Sequence, residues 1–131
     1  MCIRDSYCTA AGKAQIAFMS QEELEYYLTA KELKRYTNNT ITDHDILKKE
    51  LKAIAKQGYA LDNEEFDLGV KCVSSPIRDY TQCIIGAVSI SGPSPRFSEY
   101  RIKKELIPLV VSAAEEISSK MGFQIGKRDR K

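Results

Sequence analysis

The 131-residue chain has a single histidine, and its four cysteines stand at positions 2, 8, 72 and 83. That supply offers no metal-ligand spacing, so no metal and no cofactor is expected, and unpaired thiols suit a reducing compartment. No run of about 18 apolar residues is present and no charged-then-apolar segment opens the chain, which argues against a membrane partner or a secretory signal and points to the cytoplasm. An excess of either charge is missing too: 20 basic against 18 acidic residues leave +2, with the signs interspersed. Such a surface carries no electrostatic footprint for nucleic acid. There is no repeat and no low-complexity segment. The length leaves room for one domain, and 43% hydrophobic residues suffice for a real core.

What is present is organised around Asp62 to Gly92, DNEEFDLGVKCVSSPIRDYTQCIIGAVSISG. Val70 to Ile77 is rich in β-branched residues and small hydroxyls, Asp79 to Gln82 is turn chemistry, and Cys83 to Ser91 alternates until Gly92-Pro93 stops it. These are the marks of a β-hairpin. In its second strand the period of two places Ile85, Ala87, Ser89 and Ser91 on one face and Ile84, Gly86, Val88 and Ile90 on the other. Cys72 and Ser74 can share the serine face from the first strand, which would set a small polar patch on an apolar sheet, as a pocket for a small polar ligand requires.

Around the hairpin the chain reads mainly as helix. Thr9-Ala10-Ala11-Gly12 leads into a helical run to about Phe18 whose first turn has free N–H groups, an arrangement that attracts anions. Ser20-Gln21-Glu22-Glu23 is a capping box opening a short helix with Leu24, Tyr27 and Leu28 on one side. LKRYTNNTIT, residues 33–42, reads as a surface loop. Thr42 or Asp43 then caps a helix with Ile46, Leu47, Leu51 and Ile54 inward, Lys48, Lys49, Lys52 and Lys56 toward water, and Gly58 as its stop. Tyr59 to Leu61 is a short strand. Ser98 caps a last helix burying Ile102, Leu106, Val110, Ala113, Ile117 and Met121, which Pro108 must bend or break.

Taken in order, TAAGKAQIAFMS, LKRYTNNTIT, QGYALDNEEFDLGVKC, SSPIRD and AVSISGPSPRFS resemble the effector-binding domain of the IclR family of bacterial transcriptional regulators, from Tyr7 to about Met121. The resemblance implies an α/β (α+β) domain of GAF-like design, a central antiparallel sheet with flanking helices, which binds a small organic acid effector and forms a homo-oligomer, dimer or tetramer. DNA would be bound only through a separate N-terminal winged helix-turn-helix. Carried over residue by residue, the ligand site comprises Ala10 and Ala11, whose N–H groups receive a carboxylate, the acid Asp62, Cys72, and the hydroxyl pair Ser89 and Ser91. Gly12 is assigned to packing, and Lys13 has no assigned role.

Two other readings stand beside the ligand sensor: a small cysteine-dependent enzyme with Cys72 as nucleophile, for which His44 would have to supply a base from another helix, and a domain serving oligomerisation alone. The expected domain plan places the effector domain at 7–122 and a basic tail at 123–131, its GKRDRK end disordered. Met1 to Ser6, MCIRDS, is the translation of ATG TGT ATA AGA GAC AG plus one further base, a transposon-end sequencing adaptor. It is therefore expected to be a scar, with the natural chain, including the winged domain and the first strands, continuing upstream. These 131 residues alone are not expected to recognise a DNA sequence.

Overall fold

The computed structural model describes residues 7–30 and 32–124, so the adaptor-like segment, Lys31 and the basic end of the tail lie outside the described residues. Three helices come first: α1 (Ala10–Ile16), α2 (Gln21–Ala30) and α3 (His44–Gln57). Each start is set by a hydroxyl or carboxylate that satisfies free amides of the first turn. Thr9 Oγ1 accepts from Gly12 N at 3.0 Å, Ser20 Oγ from Glu23 N at 3.2 Å, and Asp43 Oδ1 from Asp45 N and Ile46 N at 2.8 and 3.1 Å. Gly58 ends α3 in the left-handed conformation, φ 86°, which costs glycine nothing.

The strands β1 (Ala60–Asn63), β2 (Val70–Arg78) and β3 (Ile84–Pro93) form an antiparallel sheet in that order. The expected hairpin is β2–β3. At its turn Asp79 Oδ1 accepts the Thr81 amide at 2.8 Å, and a register shift between Ile77 and Arg78 adjusts the strand ends. Pairing puts Asp62, Cys72 and Ser91 in one row across all three strands and Ala60, Ser74 and Ser89 in the next. Both rows lie on one face because paired residues point the same way.

Helices pack on both faces, around two apolar clusters. On the Ala60 face α1 lies against β2 and β3, and Tyr7, Ala14, Ile16, Leu28, Leu47, Leu51 and Ile54 form the core. On the opposite face Val73 meets Leu106, Val110 and Phe97, with Leu61 and Ile90 half-buried beside them. Phe97 lies so close to β3 that a Cβ at Gly92 would be 2.5 Å from its ring, so glycine is the residue the contact permits.

Four features differ from the sequence reading. Ile46 is 56% exposed, and only Leu47, Leu51 and Ile54 of its stripe are buried. The last helix begins at Glu99–Arg101, capped by Ser98 as expected, passes through a π-helical stretch at Ile102–Leu106 and continues as α5 (Ile107–Lys120). Pro108 therefore ends no helix; the wider turn just before it is where the ladder is altered. Beyond it the buried positions are Val110, Ala114 and Ser118, whereas Ile117 and Met121 are exposed, since a repeat of four keeps facing the twisted strands below. The segment 33–42 is not a free surface loop, because Thr37 and Thr40 are buried with their hydroxyls donating to the carbonyls of Glu64 and Glu65.

Those threonines converge on a buried ion pair. Lys13, on α1, has no exposed surface, and its ammonium donates to both Glu65 oxygens, Oε1 at 3.0 Å and Oε2 at 2.9 Å, with Glu50 Oε1 at 3.4 Å. Glu65 Oε2 also accepts the Asn63 amide at 3.1 Å. A lysine can be buried this way only when its charge and protons are matched. Lys13→Met or Glu65→Gln alone should lower the unfolding free energy by roughly 3–5 kcal/mol, the usual cost of stranding one buried charge, and Lys13→Met combined with Glu65→Gln should cost less than the sum. Urea unfolding checks this, and strictly additive losses would mean that the two groups are not coupled.

Candidate functional site

The turn after β1 sets the first site residue. Asp62 is buried, and its Oδ1 accepts the Glu65 amide at 2.8 Å, so it caps the turn that Glu65 and Lys13 anchor to α1. Burial is the main force raising its carboxyl pKa to about 6; the Glu65 amide pulls the other way, the Glu65 charge adds to the rise, and Lys13 opposes it. Next in the row, Cys72 Sγ lies 2.9 Å from Ser91 Oγ in a hydrogen bond that either can donate. Burial pushes this thiol up, Ser91 draws it down, and the neighbouring Asp62 raises it again. That is the wrong direction for a nucleophile. Ser89 sits in the following row, exposed, opposite Ser74, whose hydroxyl is used on the Val88 carbonyl at 3.0 Å.

The structure thus brings Asp62, Cys72 and Ser91 into one row with Ser89 on the same face. Ala10, buried, and Ala11, half-buried, form the first turn of α1, which packs on β2 and β3. Among the described residues their amides meet no acceptor. Because α1 has only seven residues, it offers two N–H donors more than a strong dipole. A hollow of about 230 Å³ along the free edge of β1 is lined by Asp62 and Cys72 together with Leu61, Ile102 and Ile107. Ala10, Ala11, Ser89 and Ser91 do not line it.

Sequence reasoning missed Glu65, Lys13, Thr37 and Thr40, which hold the Asp62 turn in place. The one signal was Glu64-Glu65 following Asp62, three acids too close together to remain unpaired if buried. Among the described residues no group of histidine, cysteine, aspartate and glutamate is arranged to hold a metal ion, and no helix is long and apolar enough to cross a membrane.

Comparison with known proteins gives the class to which the fold belongs. The family model described as the C-terminal domain of the bacterial transcriptional regulator IclR matches residues 4–119, its first three matched residues falling within MCIRDS. The chain belongs to this family and corresponds to its effector-binding domain. It is 38% identical over 117 residues to the HTH-type transcriptional regulator KdgR of Escherichia coli, covering 89% of this chain and 44% of that protein. The crystal structure of the KdgR C-terminal domain superposes with a TM-score of 0.82, over 89% of this chain and 71% of the other. The Thermotoga maritima IclR structure gives 0.84 at 46% identity, over 89% and 47%. The inducer-binding domain of a PobR double mutant from Acinetobacter, in complex with 3-hydroxybenzoic acid, gives 0.82 at 26% identity, over 86% and 64%. The chain spans less than half the length of the curated relatives it matches.

Asp62 makes the site measurable. With its pKa raised to about 6, against about 4 for an unfolded aspartate, the folded chain keeps a proton that the unfolded chain has lost between those pH values. Stability from this group is therefore full below about pH 4 and falls as pH rises to about 6, opposite to a salt-bridged aspartate. Asp62→Asn, whose amide oxygen can still accept the Glu65 N–H, should remove this part of the slope and be the more stable form above pH 6. Thermal unfolding from pH 4 to 7 tests it; identical slopes in parent and variant would place the titration elsewhere.

Proposed function

We propose that this chain is the part of a transcriptional regulator that senses a small organic acid and oligomerises, with no catalysis of its own. The observation that carries the reading is the row Asp62, Cys72 and Ser91 on a sheet face against which α1 packs. The PobR domain in complex with a hydroxybenzoic acid supports the ligand class. The ligand carboxylate is received by the Ala10 and Ala11 amides, while Ser89 and Ser91 hydrogen-bond a neighbouring carbonyl or hydroxyl oxygen. Asp62 faces the ligand as a carboxyl that protonates easily, so it tolerates an anion that an ordinary aspartate would repel. Acid binding should then take up a proton near neutral pH. Cys72 contributes a small polarisable wall and a partner for Ser91.

In the complete regulator, acting in the cytoplasm as a dimer or tetramer, the ligand shifts an equilibrium between DNA-bound and released states by binding one better than the other. DNA contact belongs to a winged domain outside this chain.

Ser89→Ala and Ser91→Ala should each weaken binding of the cognate acid by about 0.5–1.5 kcal/mol, the net worth of a neutral hydrogen bond, and by more where a charged oxygen is stranded. Neither should unfold the chain, since losing a hydroxyl opens almost no cavity. Calorimetric titration against a panel of 2-oxo, 2-hydroxy and hydroxybenzoic acids decides the matter. Undiminished affinity in both variants would remove the hydroxyl pair from the site.

A further inference from the structure

A second hollow, roomier than the one beside Asp62 and Cys72, lies away from the polar row. A cleft of about 600 Å³ opens where the ends of α3 and α5 meet the last residues of β2, within the size range of small-molecule sites. None of Ala10, Ala11, Asp62, Cys72, Ser89 and Ser91 lines it. Arg78, which does, is six residues along β2 from Cys72, about 20 Å at the rise of an extended strand.

The guanidinium of Arg78 is held by two rings. Its Cζ is 4.6 Å from the centroid of Phe18 and 5.7 Å from that of Phe123, and its backbone amide is tied to Ser118 Oγ at 3.0 Å. Among the described residues its side chain has no ion-pair partner and donates no hydrogen bond. Of the helix-end carbonyls nearby, Gly58 O accepts from Ser75 Oγ at 2.9 Å and Ser118 O from Phe123 N at 2.9 Å. Glu115 lines the cleft without an ion pair to Arg78, and Lys56 lines it as a second cation. An arginine gripped by aromatic rings keeps its planar fork of N–H donors aligned at little entropic cost, and a carboxylate is what that fork fits. Pro76, Val111 and Ala114 give the cleft an apolar wall for the rest of such a ligand.

We propose that Arg78 is the anion receptor of a second small-molecule site, separate from the effector face, which takes a monocarboxylate with a flat apolar body. The rings orient the guanidinium and the apolar wall takes the body. The guanidinium fork receives the carboxylate, while Lys56 and Glu115, which also line the cleft, carry opposite charges.

Benzoate and its neutral isostere benzamide are the probes. Titrated into the 131-residue chain, benzoate should shift the Arg78 Nε–Hε resonance saturably and benzamide should not. Arg78→Lys keeps the charge but not the fork; followed through the Phe18 and Phe123 ring resonances, with thermal unfolding confirming that it folds, it should bind benzoate at least tenfold more weakly. The proposal is overturned by no saturable shift at Nε–Hε, by an equal response to benzamide, or by unchanged affinity in a folded Arg78→Lys. A melting temperature lowered by Arg78→Lys with no benzoate response in the parent would mark Arg78 as a prop for the two rings only. Because the readout is local to Arg78, the outcome does not depend on whether Ser89 and Ser91 contact an effector.

Discussion

Everything that positions the polar face depends on one buried cation. Lys13 reaches from α1 to the turn after β1 and spends its ammonium protons on Glu65. Burying that charge is tolerable only because its partner is there, and the partner is held there because its own oxygen and carbonyl are used by the Asn63 amide and the Thr40 hydroxyl. The helix that offers free amides and the strand that carries Asp62 are thereby locked to each other across the sheet. A buried pair of this kind adds little net stability compared with apolar packing. Its value here is geometric, since it removes the freedom of the 62–65 turn to slide over α1.

The row Asp62, Cys72 and Ser91 follows from that lock and from strand register. A slip of one residue in β2–β3 pairing would turn both serines to the Val73 face, where Leu106 and Val110 pack. Apolar residues stand on both faces in the observed register, Ala60 and Ala87 on one, Val73 and Ile90 on the other. Asp62 completes the row as the member whose charge state burial makes responsive, and it sits directly beside the Glu65 end of the ion pair.

Much of this was legible in the residues. The hairpin, its turn, the caps at Ser20 and Ser98 and at Thr42 or Asp43, and the shared face of Cys72, Ser74, Ser89 and Ser91 all follow from local chemistry and the period of two. Asp62 and the two alanines entered only through the family resemblance, because nothing in their spacing links them to the hairpin. Tertiary facts were beyond reach: the pairing of Lys13 with a glutamate 52 positions away, the docking of Thr37 and Thr40, and the rotation of the buried stripe to Ala114 and Ser118. Each depends on where a distant segment comes to rest, and a lysine or a threonine reads as solvent-facing until its partner is seen. The cleft at Arg78 is of the same kind, made by Phe18 and Phe123 arriving from opposite ends of the chain.

The central claim is that α1 and the row on the sheet act together on one ligand. Amide hydrogen exchange of the full chain, with and without small 2-oxo, 2-hydroxy or hydroxybenzoic acids, tests it most directly, since the Ala10 and Ala11 amides are the proposed donors to the carboxylate. The account predicts that an acid which binds slows exchange at Ala10 and Ala11 and, together with them, at the 62–65 turn and around Cys72. Saturable binding of such an acid that leaves the Ala10 and Ala11 amides unprotected would contradict it.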